Sequence, residues 1–373
     1  MRFENKKKIA VIHGNDGSDV RIGKICRSLS TMGYDTNYIG WDRRPSERKR
    51  INLGNTKLHI INYETKFGKS TFKGRLVFAR HICRILKTIK PYIVYAVNED
   101  TAIMLVPLKG LLYKILVCDV FDALVDRHSE NNRIIVFLLK VVSFFARLFS
   151  DELIATDQTR FNGFGRFKSK TIIVENVPED PGDDIVTIMP HGPIKIYVSG
   201  SLNINRGIKQ IIEIADKIDD LEIISAGWLY DDYANNVFVK HPKVVFKGII
   251  TARESLKLAA ECDAILSYYS PMSLNNILAS PNKIYDAMSV GRPLIINSEI
   301  KIAEYVGEYN LGYLCPWGNI DKLEEIILNL KSNREKLSNF ASNSRKIFLN
   351  GHNWNLMAQR MYEMLNKIAK LEN

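Results

Sequence analysis

Several absences narrow what this sequence can be. Its five cysteines, Cys26, Cys83, Cys118, Cys262 and Cys315, stand apart with no C-x-x-C pair. That spacing argues against a zinc site or a disulfide framework and fits a reducing compartment. The first glycine-bearing loop reads His13-Gly-Asn-Asp-Gly-Ser18 and lacks the G-x-G-x-x-G spacing of a dinucleotide fingerprint, so a dehydrogenase is set aside. No Asp-x-Asp metal signature is found, Asp231-Asp232 reads as a surface pair, and neither a metal nor a cofactor is expected. No apolar run reaches the roughly 20 residues that span a bilayer. The nearest, Arg133 to Phe149, is interrupted by Lys140 and Arg147; it is expected to be a buried helix of the first domain, with a helix dipping into one leaflet as the alternative. Between Met1 and the strand-like Ile9-Ala-Val-Ile12 there is no apolar core of a signal peptide, and a cytoplasmic protein is expected. Internal repeats and low-complexity segments are absent.

What remains is an ordinary globular composition of 46% hydrophobic and 25% charged residues in 373, enough for two domains. The net charge of +11 is one-sided. Residues 1–150 carry 27 Lys and Arg against 13 Asp and Glu, so the excess belongs to the first half and the rest is slightly acidic. Such asymmetry points to an anionic partner, a phosphorylated lipid or an acidic membrane surface, since no nucleic-acid motif is present. Residues 69–90 interleave Leu76, Phe78, Ile82, Leu86 and Ile89 with Lys73, Arg75, Arg80, Arg84, Lys87 and Lys90. This is a basic amphipathic helix that either covers a sheet with a solvated basic face or lies on anionic lipid.

Strands and helices alternate along the chain. Ile9–Ile12, a loop, a helix from about Val20 to Met32 closed by Gly33, and a strand at Tyr34–Ile39 open the series; Pro91–Val97, Lys114–Cys118, Asp151–Thr156 and Thr171–Val174 follow. This alternation predicts a parallel, doubly wound α/β sheet. The strands ending in Asn98-Glu99-Asp100 and in Asp119-Val-Phe-Asp122 bring acidic tips to its carboxyl edge, where such folds hold ligands. A Pro, Gly and acidic run within 179–193 reads as a linker. A second sheet then begins at Ile194–Val198 and continues through Leu221–Ser225, Val244–Phe246, Asp263–Ser267 and Leu294–Ile296. The expected division is 1–178, linker 179–193, 194–352, and a terminal helix in 353–373.

The most informative stretch is Ala279-Ser-Pro-Asn-Lys-Ile-Tyr-Asp-Ala-Met-Ser-Val-Gly-Arg-Pro293. Ser280 suits an N-cap, Pro281 the first helical position, and Gly291 a left-handed stop before Pro293. The amino end of a helix in a strand-loop-helix unit is an anion site, and Asn282 and Lys283 stand at that mouth with Asp286 one turn on. A phosphate near Lys283 and a hydroxyl near Asp286 describe a nucleotide; a merely well-capped structural helix is the other reading.

This stretch resembles the donor segment of the family 4 retaining glycosyltransferases, in which Pro-Asn-Lys is followed by an acid, Ala-Met and Gly-Lys/Arg-Pro. The resemblance implies a GT-B architecture, two Rossmann-like doubly wound domains facing across a cleft, with the terminal helix packing back on the first. In that family a Glu-x7-Glu motif marks the site; Asp286 stands at its second position, for the ribose, and Leu278 at its first. Ser199-Gly-Ser-Leu-Asn-Ile-Asn-Arg-Gly207 is similar to the family's Gly-Arg-x4-Lys-Gly phosphate loop, with Ser201 at the Arg position and Arg206 at the Lys position. Gly248-Ile249 resembles the segment whose backbone meets the base. In the first half, Asp19-Val-Arg21 is similar to an Asp-x-Arg element, with a capping and surface pair as the plain alternative, and Asp119-Val-Phe-Asp122 to an Asp-x-His-Glu element with Phe121 replacing the His.

The resemblance implies catalytic roles for Asp122, Arg206 and Lys283. It places Ser201, Arg206, Gly248, Ile249, Asn282, Lys283 and Asp286 at the donor, and Asn15, Asp19, Arg21, Asn98, Glu99 and Asp119 on the acceptor side. The activity implied is metal-independent transfer of a hexosyl group from a UDP-sugar, or a GDP-sugar, to a glycan or polyprenyl-diphosphate-linked acceptor of a cell-surface polysaccharide, lipopolysaccharide or capsule, at the inner face of the membrane. A nucleotide-sugar epimerase of the same fold and a non-catalytic nucleotide-sugar-binding protein are the rival readings.

Overall fold

The computed structural model describes residues 7–45, 52–65, 71–128, 132–186 and 188–371. Residues 1–6, the start of the basic stretch at 69–70, and Thr187 of the expected linker lie outside them. The chain divides into unit 1, Met1–Asn176 with Met357–Asn373, and unit 2, Val177–Leu356.

Unit 1 is built on β1 (Lys8–His13), β2 (Asp35–Asp42), β3 (Lys57–Asn62), β4 (Ile93–Val97), β5 (Ile115–Val120), β6 (Glu152–Ala155) and β7 (Thr171–Ile173). They form one parallel sheet in the order β3-β2-β1-β4-β5-β6-β7. Its central strands are apolar on both faces because helices cover both, and Ile9 to Ile12 and Ile93 to Val97 are wholly buried. Unit 2 has β8 (Ile194–Leu202), β9 (Leu221–Leu229), β10 (Val244–Phe246), β11 (Ala264–Ser267), β12 (Leu294–Asn297) and β13 (Gly312–Cys315), parallel in the order β10-β9-β8-β11-β12-β13. The strand order reverses between β1 and β4 and between β8 and β11. These are the switch points at whose carboxyl ends open α/β sheets bind ligands.

Some expectations need correction. β3 and β13 are edge strands that the sequence pattern did not disclose; β3 is mostly exposed or half-buried, and so has little apolar signature. β8 does not stop at Val198 but runs to Leu202, and β9 runs to Leu229. β11 leaves β8 at Val198 and β10 leaves β9 at Ser225, so Ser199–Leu202 and Ala226–Leu229 continue as a two-stranded parallel ribbon. Two glycines permit it. Gly200 and Gly227 sit at φ 109° and 137°, and a Cβ on Gly227 would lie 1.9 Å from the Gly200 oxygen.

The stretch 179–193 is attached to unit 2. Arg345 pairs with Asp180 at 3.1 Å, Arg253 with Asp184 at 2.7 Å, and Arg292 donates to the Ile188 carbonyl. The helix Phe72–Ile89 covers the sheet of unit 1 through Phe78, Ile82 and Leu86. The helix Arg133–Phe149 overturns the expectation of a buried element. Only the small Ser143 and Ala146 are buried on it, while Ile134 is 70% exposed, Phe137 64% and Leu138 56%. The chain's terminal helix, Trp354–Leu371, adds buried Met357, Met361, Met364 and Leu365 to unit 1, where Arg360 donates to the Ile173 carbonyl at 3.2 Å.

Candidate functional site

In unit 2 the helix Asn282–Val290 begins one residue later than the capping pattern suggests. Pro281, in extended conformation, takes the N-cap position with no side-chain cap, and Ser280 instead meets the Tyr285 hydroxyl at 3.4 Å. The first turn therefore has no side-chain acceptor in front of it, and Asn282 is the first helical residue. The stop is as read: Gly291 is left-handed at φ 66°. The following Arg292 is structural. It is 1% exposed, and its guanidinium donates to the Ala260, Cys262 and Gly291 carbonyls, locking the helix end to the foot of β11.

Lys283 and Asp286 lie on one helix face and pair at 2.8 Å. Burial opposes the charge on Lys283, but the Asp286 carboxylate outweighs it and holds the amine above the ordinary lysine range. Arg206 comes from the other side of the switch point. It closes a short turn, Ile204–Arg206, and is followed by Gly207, left-handed at φ 76°, where a Cβ would meet the Tyr268 side chain at 2.6 Å. Its guanidinium lies flat on the Tyr269 ring, 3.6 Å from the centroid, and its Nη1 is buried without a hydrogen-bond partner among the described residues. Tyr269 also lies within electrostatic reach of Lys283, so the two cations share one aromatic neighbour. Buried Ser225, in mid-β9 where its pairing with β10 ends, and Ser267, at the carboxyl end of β11, have side-chain oxygens likewise unpartnered among the described residues.

The loop bearing Tyr269 is fixed by Asn297 at the end of β12. Its amide accepts from the Tyr269 N–H at 2.9 Å, donates to the Tyr269 carbonyl at 3.0 Å, and donates to Glu299, which in turn accepts from the Trp317 N–H. Tyr269, Asn297 and Glu299 were not singled out from the sequence; the signal available was their place directly after β11 and β12. Ser201 lies on the ribbon with its hydroxyl near Asn203, at 3.2 Å. Gly248 is left-handed at φ 70°, its carbonyl is taken by the Gly227 N–H, and Ile249 is 56% exposed. Leu278 ends the short helix Leu274–Ile277.

In unit 1 most of the expected acceptor residues build the floor of the carboxyl edge. Asn15 accepts from the Gly17 N–H and the Tyr38 hydroxyl, and Asp19 caps the helix Val20–Thr31 through the amides of Arg21 and Ile22. Arg21 is no surface residue: it is 2% exposed and grips both oxygens of the wholly buried Asp119 at 3.0 and 3.1 Å. Tyr95 donates to the same carboxylate at 2.6 Å. Burial raises the Asp119 pKa against the pull of Arg21. Asn98 adopts φ 67°, ψ 157°, a region that side chains rarely occupy, and its Oδ1 accepts from the amides of Phe121 and Asp122, tying the two loops together.

Glu99 is corrected outright. It is wholly buried, accepts from the Leu124 N–H, Ser143 and Arg147, and presents nothing to a ligand. Asp122 keeps a half-exposed carboxylate, held by Arg160 at 2.8 Å. Among the described residues no group of three or more His, Cys, Asp or Glu is placed to hold a metal ion, and no helix is long and apolar enough to cross a membrane.

No protein-family model and no curated protein matches the chain. Its backbone is similar to solved structures over nearly its full length. Sucrose-phosphate synthase from Thermosynechococcus elongatus has a TM-score of 0.71 at 14% identity, with 98% of this chain and 100% of that one covered. HepE from Anabaena, in complex with UDP and glucose, has 0.71 at 16%, covering 96% and 99%. WaaG, a glycosyltransferase involved in lipopolysaccharide biosynthesis, has 0.67 at 13%, covering 96% and 99%. With two parallel Rossmann-like sheets of seven and six strands and this likeness, the chain has the GT-B fold.

Proposed function

We propose that the chain is a retaining, metal-independent glycosyltransferase that moves a hexosyl group from a nucleoside-diphosphate sugar, a UDP-sugar before a GDP-sugar, to a glycan or polyprenyl-diphosphate-linked acceptor in cell-surface polysaccharide synthesis. The observation that carries this reading is the placement of Arg206, Lys283 and Asp286 about the switch point of β8 and β11, with the helix Asn282–Val290 starting beside them. Cleaving the sugar–phosphate bond leaves charge on the diphosphate. Lys283, Arg206 and the helix amides are the groups that neutralise it as it forms, the part a metal plays elsewhere. Lys283 then trades Asp286 for phosphate, which frees the carboxylate to accept from the ribose hydroxyls. In unit 1, Asp122 is the carboxylate available to the acceptor. The UDP and glucose held by HepE, a protein of the same fold, favour uridine.

Incubation with a panel of UDP- and GDP-sugars, without acceptor and with EDTA present, tests this. Slow release of free sugar is expected, unchanged by the chelator. An isomerised donor without release makes the chain an epimerase, no turnover with bound nucleotide makes it a binding protein, and loss of turnover restored by magnesium or manganese removes metal independence.

The membrane part of the proposal rests on the helix Arg133–Phe149. Its outward face is apolar, it carries no acid, and Arg133 and Lys140 flank the apolar residues. Arg166 lies over Phe144 at 4.6 Å and Lys109 donates to the Phe149 carbonyl, adding cations beside it. Apolar side chains that enter the headgroup boundary, with each cation adding about 1 kcal/mol on an anionic surface, give reversible attachment that salt weakens. Co-sedimentation with anionic vesicles is expected to exceed that with neutral vesicles and to fall when Phe137 and Leu138 are replaced by Ser. Equal binding to both vesicles, or none, defeats it.

A further inference from the structure

A second cationic cluster lies in unit 1, apart from the acid-and-amide floor already described. The helix Phe72–Ile89 seats its first turn on the Trp41 ring, which a Cβ on Gly74 would meet at 2.5 Å, and this close approach brings Arg75 to the end of β2. There Arg43 lies over the same Trp41 ring, 4.5 Å from its centroid, with its Nη2 against the loop backbone at Gly14. Its Nε is buried with no hydrogen-bond partner among the described residues. Arg75 and, from the loop after β5, Arg127 converge on the two oxygens of Asp100 at 3.5 and 3.2 Å. Two guanidiniums thus hold one carboxylate, and Arg43 lies within electrostatic reach of Arg75 and of that carboxylate, at the carboxyl ends of β1, β2, β4 and β5. His13 at the end of β1 adds no charge at neutral pH, because burial pushes it down to about 4 despite Asp19 and Asp100. Arg75 and Arg127 keep 43% and 30% of their side-chain surface, so the cluster opens to solvent.

We infer that Arg43, Arg75 and Arg127 form a diphosphate-binding site in unit 1, with Asp100 holding the forks in place. Guanidinium forks match phosphate oxygens in pairs, and the Nε of Arg43 is a buried donor that such an oxygen would satisfy. The partial burial of Arg43, its Nε out of reach of solvent, strengthens such a contact by removing competing water. Naming the bound group as the diphosphate of a lipid-linked acceptor rests on the transferase reading above; the anion site itself does not.

Calorimetry with inorganic diphosphate on the full chain tests it, in an Arg206→Ala, Lys283→Ala background that removes the donor-side cations. Binding is expected there, and adding Arg43→Gln and Arg127→Gln should weaken it at least tenfold. Arg43→Lys, which keeps the charge, should lose less than Arg43→Gln; far-UV circular dichroism verifies the fold of each variant. No binding in the background, or binding indifferent to the two glutamines, overturns the site. A soluble short-chain isoprenyl diphosphate that binds at least as tightly as inorganic diphosphate supports the lipid-linked acceptor. Its rejection overturns that assignment and leaves a site for free phosphates. Failure of the transferase reading would show instead as absence of UDP binding to the unaltered chain, with diphosphate binding in unit 1 intact.

Discussion

Lys283→Ala is expected to lower kcat/KM for sugar transfer by about 100- to 1,000-fold, the scale of losing one preorganised group that meets developing charge. Its amine is held charged by Asp286 at 2.8 Å, so it is ready before the diphosphate carries its full charge. The loss should fall mainly in kcat, because the interaction is strongest when the leaving group is most anionic. Asp286→Ala separates the two partners: it should weaken UDP binding by about 1–3 kcal/mol, the range for a hydrogen bond to a charged group, and leave Lys283 in place. Steady-state kinetics with a turned-over donor and calorimetry with UDP measure the two effects. A Lys283→Ala enzyme within threefold of the parent, or UDP affinity unchanged by Asp286→Ala, removes that residue from the site.

Glu99→Ala is expected to cost unit 1 about 3–5 kcal/mol, the range for stripping one partner from a buried ion pair. The carboxylate is wholly buried and makes three contacts on two elements: the amide of Leu124 in the loop after β5, and the hydroxyl of Ser143 and the guanidinium of Arg147, at 2.6 Å, on the helix Arg133–Phe149. Without it Arg147, 15% exposed on the helix Arg133–Phe149, loses its carboxylate partner at 2.6 Å. Urea denaturation followed by near-UV circular dichroism would show the unit 1 transition at lower denaturant. A shift equivalent to less than about 1 kcal/mol would mean that the ion pair contributes little to unit 1.

How far the chain could be read in advance depended on whether each signal was local. The alternation of short apolar strands with capped helices is local, and it disclosed both sheets apart from the edges β3 and β13, whose residues are too exposed or too few to stand out. The helix at Asn282–Val290 was legible from Pro281 and Gly291, within one residue at its start. Arg206, Lys283 and Asp286 were singled out as candidates by a resemblance over two short stretches. Their neighbour Tyr269 was not, since nothing in Tyr268-Tyr-Ser270 tells which ring will lie under Arg206. The helix Arg133–Phe149 was misjudged for a physical reason: burial was inferred from apolar content, whereas its small residues face the sheet and its large ones face out. Glu99 misled in the opposite sense, because an acid at the tip of a strand looks available until Arg147, far along the chain, is seen to reach it.

The ribbon formed by the ends of β8 and β9 carries Ser201 and Trp228 beyond the support of β10 and β11. A parallel pair without flanking strands opens locally at a small fraction of the free energy that protects the sheet's interior. Gly200 and Gly227, each with φ above 100°, deepen this by adding backbone entropy to the open form. The ribbon, one wall of the donor side on the proposed reading, is therefore easier to fray than the paired centre of the unit 2 sheet. On the proposed reading a donor that touches Ser201 or the Gly248 backbone would hold the ribbon closed, and part of the binding energy would go into quenching its fraying. Ligands too small to reach the ribbon would escape that cost, so on that reading donor size would be sensed by how much of the protein has to become still.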